Sequence, residues 1–163
     1  MMKKFLLKPE KENVEPSQRK YLFKTMCKVK EKCFKMVIDS GSTNNLVSTE
    51  MVEKLSLKKI KYPVPYKASW FHKGHQILVS EQCEIDLQVG TYKDRIICDV
   101  MPMDVCHVLL GRPWQFDKKV VHEGRRNCYS FDKDGMRHVL LPLQKGSIVE
   151  RQEAKVKSFN ADW

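Results

Sequence analysis

The sequence predicts an all-β domain that also contains one or two short helices. In residues 77–89 apolar and polar side chains alternate almost strictly, which is the pattern of a strand with one buried face. Other short apolar runs recur along the chain, and turn signals such as Gly90-Thr91 and Asp134-Gly135 separate them. About eight or nine short strands spaced in this way favour a compact antiparallel barrel or sandwich.

The first elements each rest on a local pattern. Residues 23–29 alternate and a polar turn follows, which predicts that they pair with a second strand at 33–38. That strand ends in Met36-Val37-Ile38, an apolar run that indicates burial on both faces. After a polar loop at 39–45, the Ser48 hydroxyl is suited to cap the free N–H groups of a short helix.

Prolines and turns organise the rest of the chain. Pro63 and Pro65 exclude a regular helix and favour an extended path, whereas Pro113 suits the first turn of a short helix. The remaining predicted strands are 66–71, 76–89, 92–100, 105–110, 128–131 and 136–141. The first two of these form a hairpin around Lys73-Gly74, and the last two form a closing hairpin.

Length and composition limit the class of protein. The 163 residues, 42% of them hydrophobic, suit one domain with a packed core and two tails. We therefore expect a leader at 1–19, a domain at 20–143 and a charged tail at 144–163. The apolar runs are too short for a transmembrane span or a secretion signal, so we expect a cytoplasmic, intracellular protein.

The net charge of +10 is concentrated at one end of the chain. Residues 1–35 carry 11 basic and 4 acidic side chains, whereas residues 36–150 carry 16 and 14. The flexible basic leader therefore has two interpretations, a solvated linker or an arm that contacts the phosphates of a nucleic acid.

The cysteines give no sign of a metal site. The chain has six of them, but no C-x2-C pair and no zinc-finger spacing. We expect reduced thiols that pack as small core hydrophobes, and no metal ion or other cofactor.

One acidic residue stands out from the polar positions that turns explain. Asp39 comes at the end of the buried strand, and Ser40, Gly41 and Ser42 follow it. A carboxyl group held there is partly desolvated, and the glycine allows a close approach of backbone. Taken alone, Asp-Ser-Gly is also ordinary turn chemistry.

The wider context gives Asp39 a more specific meaning. About seventy residues after this loop, a second apolar strand, Val108-Leu109-Leu110, runs into Gly111-Arg112. The combination resembles one lobe of an aspartic protease, and specifically the retropepsin-like protease domain of retroviral and retrotransposon polyproteins. Residues 107–117, with 92–94 and 98–103, are similar to gypsy-type LTR retrotransposons of plants, and the resemblance covers roughly residues 20–143.

The resemblance implies an aspartic endopeptidase that cleaves its own Gag-Pol polyprotein inside the cell. This cleavage could also take place within virus-like particles. Each subunit of a homodimer supplies one catalytic Asp39, since the chain has a single Asp-Ser-Gly and no room for a second lobe. Ser40 is expected to hydrogen-bond across to the partner's active-site loop, and Gly41 and Ser42 complete that loop.

The same resemblance assigns two further groups. Trp70, Phe71 and Gly74 belong to a flap that closes over the substrate. Leu110 and Gly111 bring the second apolar strand close to the active-site loop, and Arg112 anchors the fold by hydrogen bonding. For Trp70 and for Trp114 the alternative is plain core packing.

Two departures from the family pattern leave alternatives open. Thr43 stands where retroviral members often have an acid, which removes a partner for Arg112, and the hairpin tip has a single glycine, Gly74. The chain could therefore be a weakly active or inactive module of the same fold that dimerises or binds peptides. A nucleic-acid adaptor acting through the leader is the third alternative.

Overall fold

The computed structural model describes residues 19, 21–69 and 76–143. These residues form two short helices and ten strands. In chain order they are β1 (Phe23–Val29), β2 (Lys32–Ile38), β3 (Leu46–Ser48), α1 (Thr49–Lys54), β4 (Lys59–Ser69), β5 (Gln76–Val89), β6 (Tyr92–Met101), β7 (Val108–Leu110), α2 (Arg112–Asp117), β8 (Val121–Glu123), β9 (Cys128–Lys133) and β10 (Met136–Leu140). Neither helix in this part of the chain is long or apolar enough to cross a membrane.

The main sheet has seven strands in the order β1-β2-β7-β3-β6-β5-β4, and a further pairing of β1 with β5 closes it into a barrel. The predicted all-β fold class is therefore confirmed. Two of the pairings, β2 with β7 and β3 with β6, are parallel, although local patterns had suggested a wholly antiparallel barrel. The parallel pairing of β2 and β7 brings two distant segments together where the candidate site lies.

A separate three-stranded sheet follows α2, in the order β10-β9-β8. It is attached to the start of the barrel by two hydrogen bonds. The Leu143 N–H donates to the Lys24 carbonyl at 2.8 Å, and the Asn127 side-chain amide donates to the Tyr21 carbonyl at 3.3 Å. The chain thus leaves the described domain next to the strand by which it enters.

Some predicted elements differ from those in the structure. The first arm of the hairpin starts at Lys59 rather than at residue 66, and includes both prolines, because β4 is an edge strand that tolerates missing N–H donors. The strand predicted at 105–110 begins only at Val108, and the exposed Val105 lies in a loop. The short strands β3 and β8 were not predicted, since each has only three residues, too few to show an alternation.

The core confirms the expectations for the apolar runs. Met36, Val37 and Ile38 are all buried, as predicted for a strand covered on both faces. Trp114 is also buried and donates its indole N–H to the Tyr92 hydroxyl at 3.0 Å. For Trp114 the core-packing alternative is therefore confirmed.

Four of the six cysteines pack in the core as expected, whereas Cys33 and Cys128 are only partly buried. Cys27, Cys83, Cys98 and Cys106 are buried, and all six thiols of the chain are free. Burial raises the pKa of the Cys106 thiol to about 12, so this group is protonated and unreactive at neutral pH.

Helix α1 begins as the sequence predicts. The Ser48 hydroxyl accepts a hydrogen bond from the Met51 N–H at 3.0 Å, and its oxygen lies 2.6 Å from Nδ1 of His107. Burial, and secondarily the charge of Lys35, lower the pKa of His107. The pair links the start of α1 to the loop that precedes β7.

Candidate active site

Asp39 directly follows β2 and continues its pairing with β7. Its N–H donates to the Leu110 carbonyl at 3.0 Å, and Leu110 itself is fully buried. The half-buried side chain accepts a hydrogen bond from the Gly41 N–H at Oδ1, at 2.8 Å. A Cβ on Gly41 would lie 3.2 Å from the same oxygen, so a side chain there would crowd the carboxyl group.

The loop after Asp39 is held against the start of α2. The Ser42 N–H donates to the Asp39 carbonyl at 3.1 Å, and the Ser42 carbonyl accepts from the Arg112 N–H at 2.8 Å. The Ser42 hydroxyl donates to the Asn44 carbonyl at 2.7 Å. A Cβ on Gly111 would lie 2.4 Å from the Asn44 carbonyl oxygen, so only glycine allows the strand to approach the loop this closely.

Arg112 contacts the loop through its backbone. Its backbone N–H makes the bond to Ser42, but its guanidinium is exposed and makes no hydrogen bond within the part of the chain that the structure describes. Thr43 stands where retroviral members of the family often have an acidic residue. It is also exposed, and its hydroxyl accepts a hydrogen bond from the Asn44 side-chain amide at 3.2 Å. An ion pair at this point is absent from the described subunit because Thr43 carries no charge.

Asn45 has a role that the sequence analysis missed. Its Oδ1 accepts hydrogen bonds from the N–H groups of Gly111 at 2.9 Å and Trp114 at 3.4 Å. Gly111 is the N-cap of α2 and has no side chain with which to cap it. The sequence did contain a sign of this role: the free N–H groups of a helix that begins at Gly-Arg-Pro need a hydrogen-bond acceptor from elsewhere in the chain.

The Ser40 hydroxyl finds a partner within its own chain. It donates to Oε1 of Gln115 at 3.0 Å, and the Gln115 amide in turn donates to the Gly111 carbonyl at 3.2 Å. Tyr129 lies behind the loop: burial raises the pKa of its hydroxyl, whereas the Ser40 hydroxyl acts in the opposite direction. The expected bond from Ser40 to a partner subunit stays a prediction.

An apolar cleft of about 220 Å³ opens beside Asp39. Its walls include Val37 and Leu109, which are neighbours across the β2–β7 pairing, together with Leu46 and Met103. The carboxyl group of Asp39 therefore lies beside an apolar surface. The loop at 101–106, which the sequence analysis did not assign to the site, supplies much of this lining.

Several predicted residues lie outside the described residues. These are Trp70, Phe71 and Gly74 of the hairpin tip, the leader apart from Arg19, and the tail at 144–163. The arms of the hairpin, β4 and β5, do form the predicted antiparallel pair. The assignment of the tip as a flap and the nucleic-acid interpretation of the leader stay predictions.

Two solved structures are similar to this chain. The crystal structure of the retroviral protease-like domain of Ddi1 from Leishmania major is 12% identical, with a TM-score of 0.53, and the match covers 78% of this chain and 98% of that chain. EIAV protease complexed with the inhibitor HBY-793 is also 12% identical, with a TM-score of 0.46, and the match covers 60% of this chain and 88% of that chain. No curated protein matches the chain.

A family model gives the more specific result. The model described as the PEG10/RTL1 protease domain matches residues 35–121, which include Asp39, the active-site loop and α2. The predicted retropepsin-like protease domain is thereby confirmed. The match covers more than half of the sequence, and the chain belongs to the PEG10/RTL1 protease domain family.

Proposed function

We propose that this domain is an aspartic endopeptidase that acts as a homodimer, with Asp39 supplied by each subunit. The observation that carries the proposal is the setting of Asp39 beside an apolar cleft, with a backbone N–H on one carboxyl oxygen. The described subunit offers one such carboxyl group, and water activation in this chemistry needs two. A second copy related by a two-fold axis provides the other.

The chemistry follows from two carboxyl groups that face each other. At a separation of about 3 Å they cannot both ionise, so the pair shares one proton and its two pKa values belong to the dyad. The ionised group removes a proton from water, and the hydroxide formed attacks the peptide carbonyl carbon. The protonated group donates its proton to the carbonyl oxygen, which gives a tetrahedral intermediate. The first carboxyl group then passes the proton it took from water to the amide nitrogen, the second regains a proton from a hydroxyl of the intermediate, and the C–N bond breaks.

The substrate is a polypeptide bound in an extended conformation. The apolar walls formed by Val37, Leu109 and Met103 favour an apolar side chain next to the cleaved bond. We propose that the natural substrate is the polyprotein of a gypsy-type, plant-like LTR retrotransposon, cleaved inside the cell or within virus-like particles. The sequence similarity at residues 107–117 supports this source.

A cleavage comparison tests the enzymatic proposal. A polyprotein fragment is incubated at mildly acidic pH with the wild type, with Asp39→Asn and with Asp117→Asn. Asp117 is exposed to solvent and its replacement removes the same charge, but it lies at the far end of α2. We expect cleavage by the wild type and by Asp117→Asn only. Equal cleavage by Asp39→Asn would remove Asp39 from the mechanism.

A second candidate is a non-catalytic module that dimerises or binds peptides. The exposed guanidinium of Arg112 and the uncharged Thr43 favour it, because an ion pair that would stiffen the active-site loop is missing from the described subunit. This module would bind extended peptides by strand addition and leave them intact. Turnover by the purified wild type that is lost in Asp39→Asn excludes this candidate.

A further inference from the structure

Asp99 is a buried acidic residue that the proposed chemistry does not use. It lies near the end of β6 and only 4% of its surface is exposed. No lysine or arginine pairs with it among the residues that the structure describes. Two cations line the same cavity as Asp99, and both pair with other acids, Arg95 with Asp86 at 2.9 Å and Lys118 with Asp94 at 2.5 Å. A buried carboxyl group without a cation is costly unless neutral donors satisfy it.

Two neutral donors from the hairpin arms satisfy both oxygens. The Tyr66 hydroxyl of β4 donates to Oδ2, and the Gln82 amide of β5 donates to Oδ1 at 3.0 Å. Burial, and then the bond to Asp99, raise the pKa of Tyr66, so its hydroxyl keeps its proton and remains a donor. Tyr66 follows a bulge in which residues 62–65 face Ser80 alone. Regular pairing with β5 resumes at Tyr66, and the hydroxyl adds a side-chain attachment to β6 at the point where the register changes.

The backbone of Asp99 extends the connection to the active-site loop. Its N–H donates to the Asn45 carbonyl at 2.8 Å, and the Asn45 side chain accepts from the Gly111 N–H at 2.9 Å. The next residue, Arg112, donates its N–H to Ser42 within the loop. Hydrogen bonds, joined by the covalent chain at Asp99, at Asn45 and between Gly111 and Arg112, therefore connect the hairpin arm to the loop that carries Asp39.

We propose that Asp99 is a positioning residue that couples the β4 arm of the hairpin to the active-site loop through Tyr66 and Asn45. The expected effect on KM rests on the proposed function. The connection between β4 and the active-site loop is a property of the fold and does not depend on that function. Without the Tyr66 hydroxyl, one oxygen of a buried carboxyl group loses its donor, and the arm beyond the bulge keeps its backbone pairing with β5 but loses its side-chain link to Asp99. An arm that is less often in place lowers the fraction of molecules competent to hold substrate, which raises KM and leaves the chemical step unchanged.

The experiment compares Tyr66→Phe, Asp99→Asn and their double variant with Tyr62→Phe as the matched control. Tyr62 lies on the same strand, and its ring contacts that of Tyr66 at 5.6 Å, but its hydroxyl makes no hydrogen bond within the described residues. Removing that hydroxyl therefore changes the same surface without touching the series of hydrogen bonds. Amide hydrogen exchange is measured at Gly111 and Arg112, and kcat and KM are measured on the polyprotein fragment.

We expect Tyr66→Phe and Asp99→Asn to speed exchange at Gly111 and Arg112 by about three- to tenfold, a size usual for coupling between distant groups. The double variant should be no worse than the stronger single variant, because the two residues share one bond. In an active enzyme KM should rise about fivefold while kcat stays within about twofold. Tyr62→Phe should match the wild type throughout.

Unchanged exchange at Gly111 and Arg112 in Tyr66→Phe would overturn the proposal, and so would additive effects in the double variant. A loss confined to kcat would overturn the positioning role. If the wild type shows no turnover, the proposed function fails, and the exchange comparison alone decides whether Asp99 couples the arm to the loop.

Discussion

Replacement of Gly111 by alanine is the perturbation for which the structure gives the sharpest expectation. Gly111 follows β7 at the point where the chain passes the active-site loop. A Cβ there would lie 2.4 Å from the Asn44 carbonyl oxygen and 2.7 Å from the Ser42 carbonyl oxygen. Both obstacles are backbone atoms, which cannot rotate away as a flexible side chain could, so the loop and the strand must move apart.

The cost has two sources. Inserting a methyl group into a packed site typically costs about 1–3 kcal/mol. Separation also weakens two hydrogen bonds, from the Gly111 N–H to Asn45 and from the Arg112 N–H to Ser42, each worth about 1 kcal/mol. The free energy of unfolding should therefore fall by about 3–5 kcal/mol. For a domain of this size that corresponds to a decrease in Tm of roughly 10–20 °C.

The assay is thermal and urea unfolding in an Asp39→Ala background, which prevents self-cleavage from obscuring the result. Gly124→Ala is the matched control, because nothing lies within 4 Å of a Cβ at that position and its φ is not left-handed. We expect the control to stay within about 0.5 kcal/mol of its parent. If Gly111→Ala unfolds at the same temperature as Gly124→Ala, the close approach of strand and loop is not what requires glycine.

Two further predictions concern single side chains. Asn45→Ala leaves the N–H groups of Gly111 and Trp114 without an acceptor, so unfolding experiments should show a loss of about 1–3 kcal/mol, whereas Asn45→Asp keeps the acceptor and should lose less. The pKa of His107 is lower in the fold than its ordinary value of 6.5, so the unfolded chain binds the proton more tightly and stability should fall as pH drops through about 6.5. His107→Asn keeps a hydrogen-bond partner for Ser48 and removes the titrating group, so the free energy of unfolding of this variant should vary less between pH 7.5 and 5. If the free energy of unfolding depends on pH equally in the variant and the wild type, His107 is not the group responsible.

Local patterns were sufficient for much of the fold. The cap at Ser48 and the buried run at residues 36–38 depend on neighbours within a few residues, and both are as predicted. The alternation of residues 77–89 likewise gave β5 its correct limits. The resemblance to retropepsin-like domains added the long-range relation between the loop at Asp39 and the strand that ends at Leu110.

The contacts that complete the site were beyond such patterns. Asn45 and Gly111 are 66 residues apart, and Ser40 and Gln115 are 75 apart. Neither pair has a spacing that a helix or a strand would reveal, because each depends on the parallel pairing of β2 with β7. The interaction of Asp99 with Tyr66 was hidden for a similar reason, since it crosses β5 and depends on the bulge in β4.

The hydrogen bond that attaches Leu143 to Lys24 places the two ends of the described domain side by side. A longer polypeptide can therefore run into and out of the domain at neighbouring points on its surface, without stretching around the barrel. The same arrangement makes the domain suitable for circular permutation: a short linker can join residues 143 and 21, with new ends opened in the exposed turn at residues 124–126. Two copies can also be fused in tandem, which would allow Asp39 to be changed in one half of a dimer and left intact in the other.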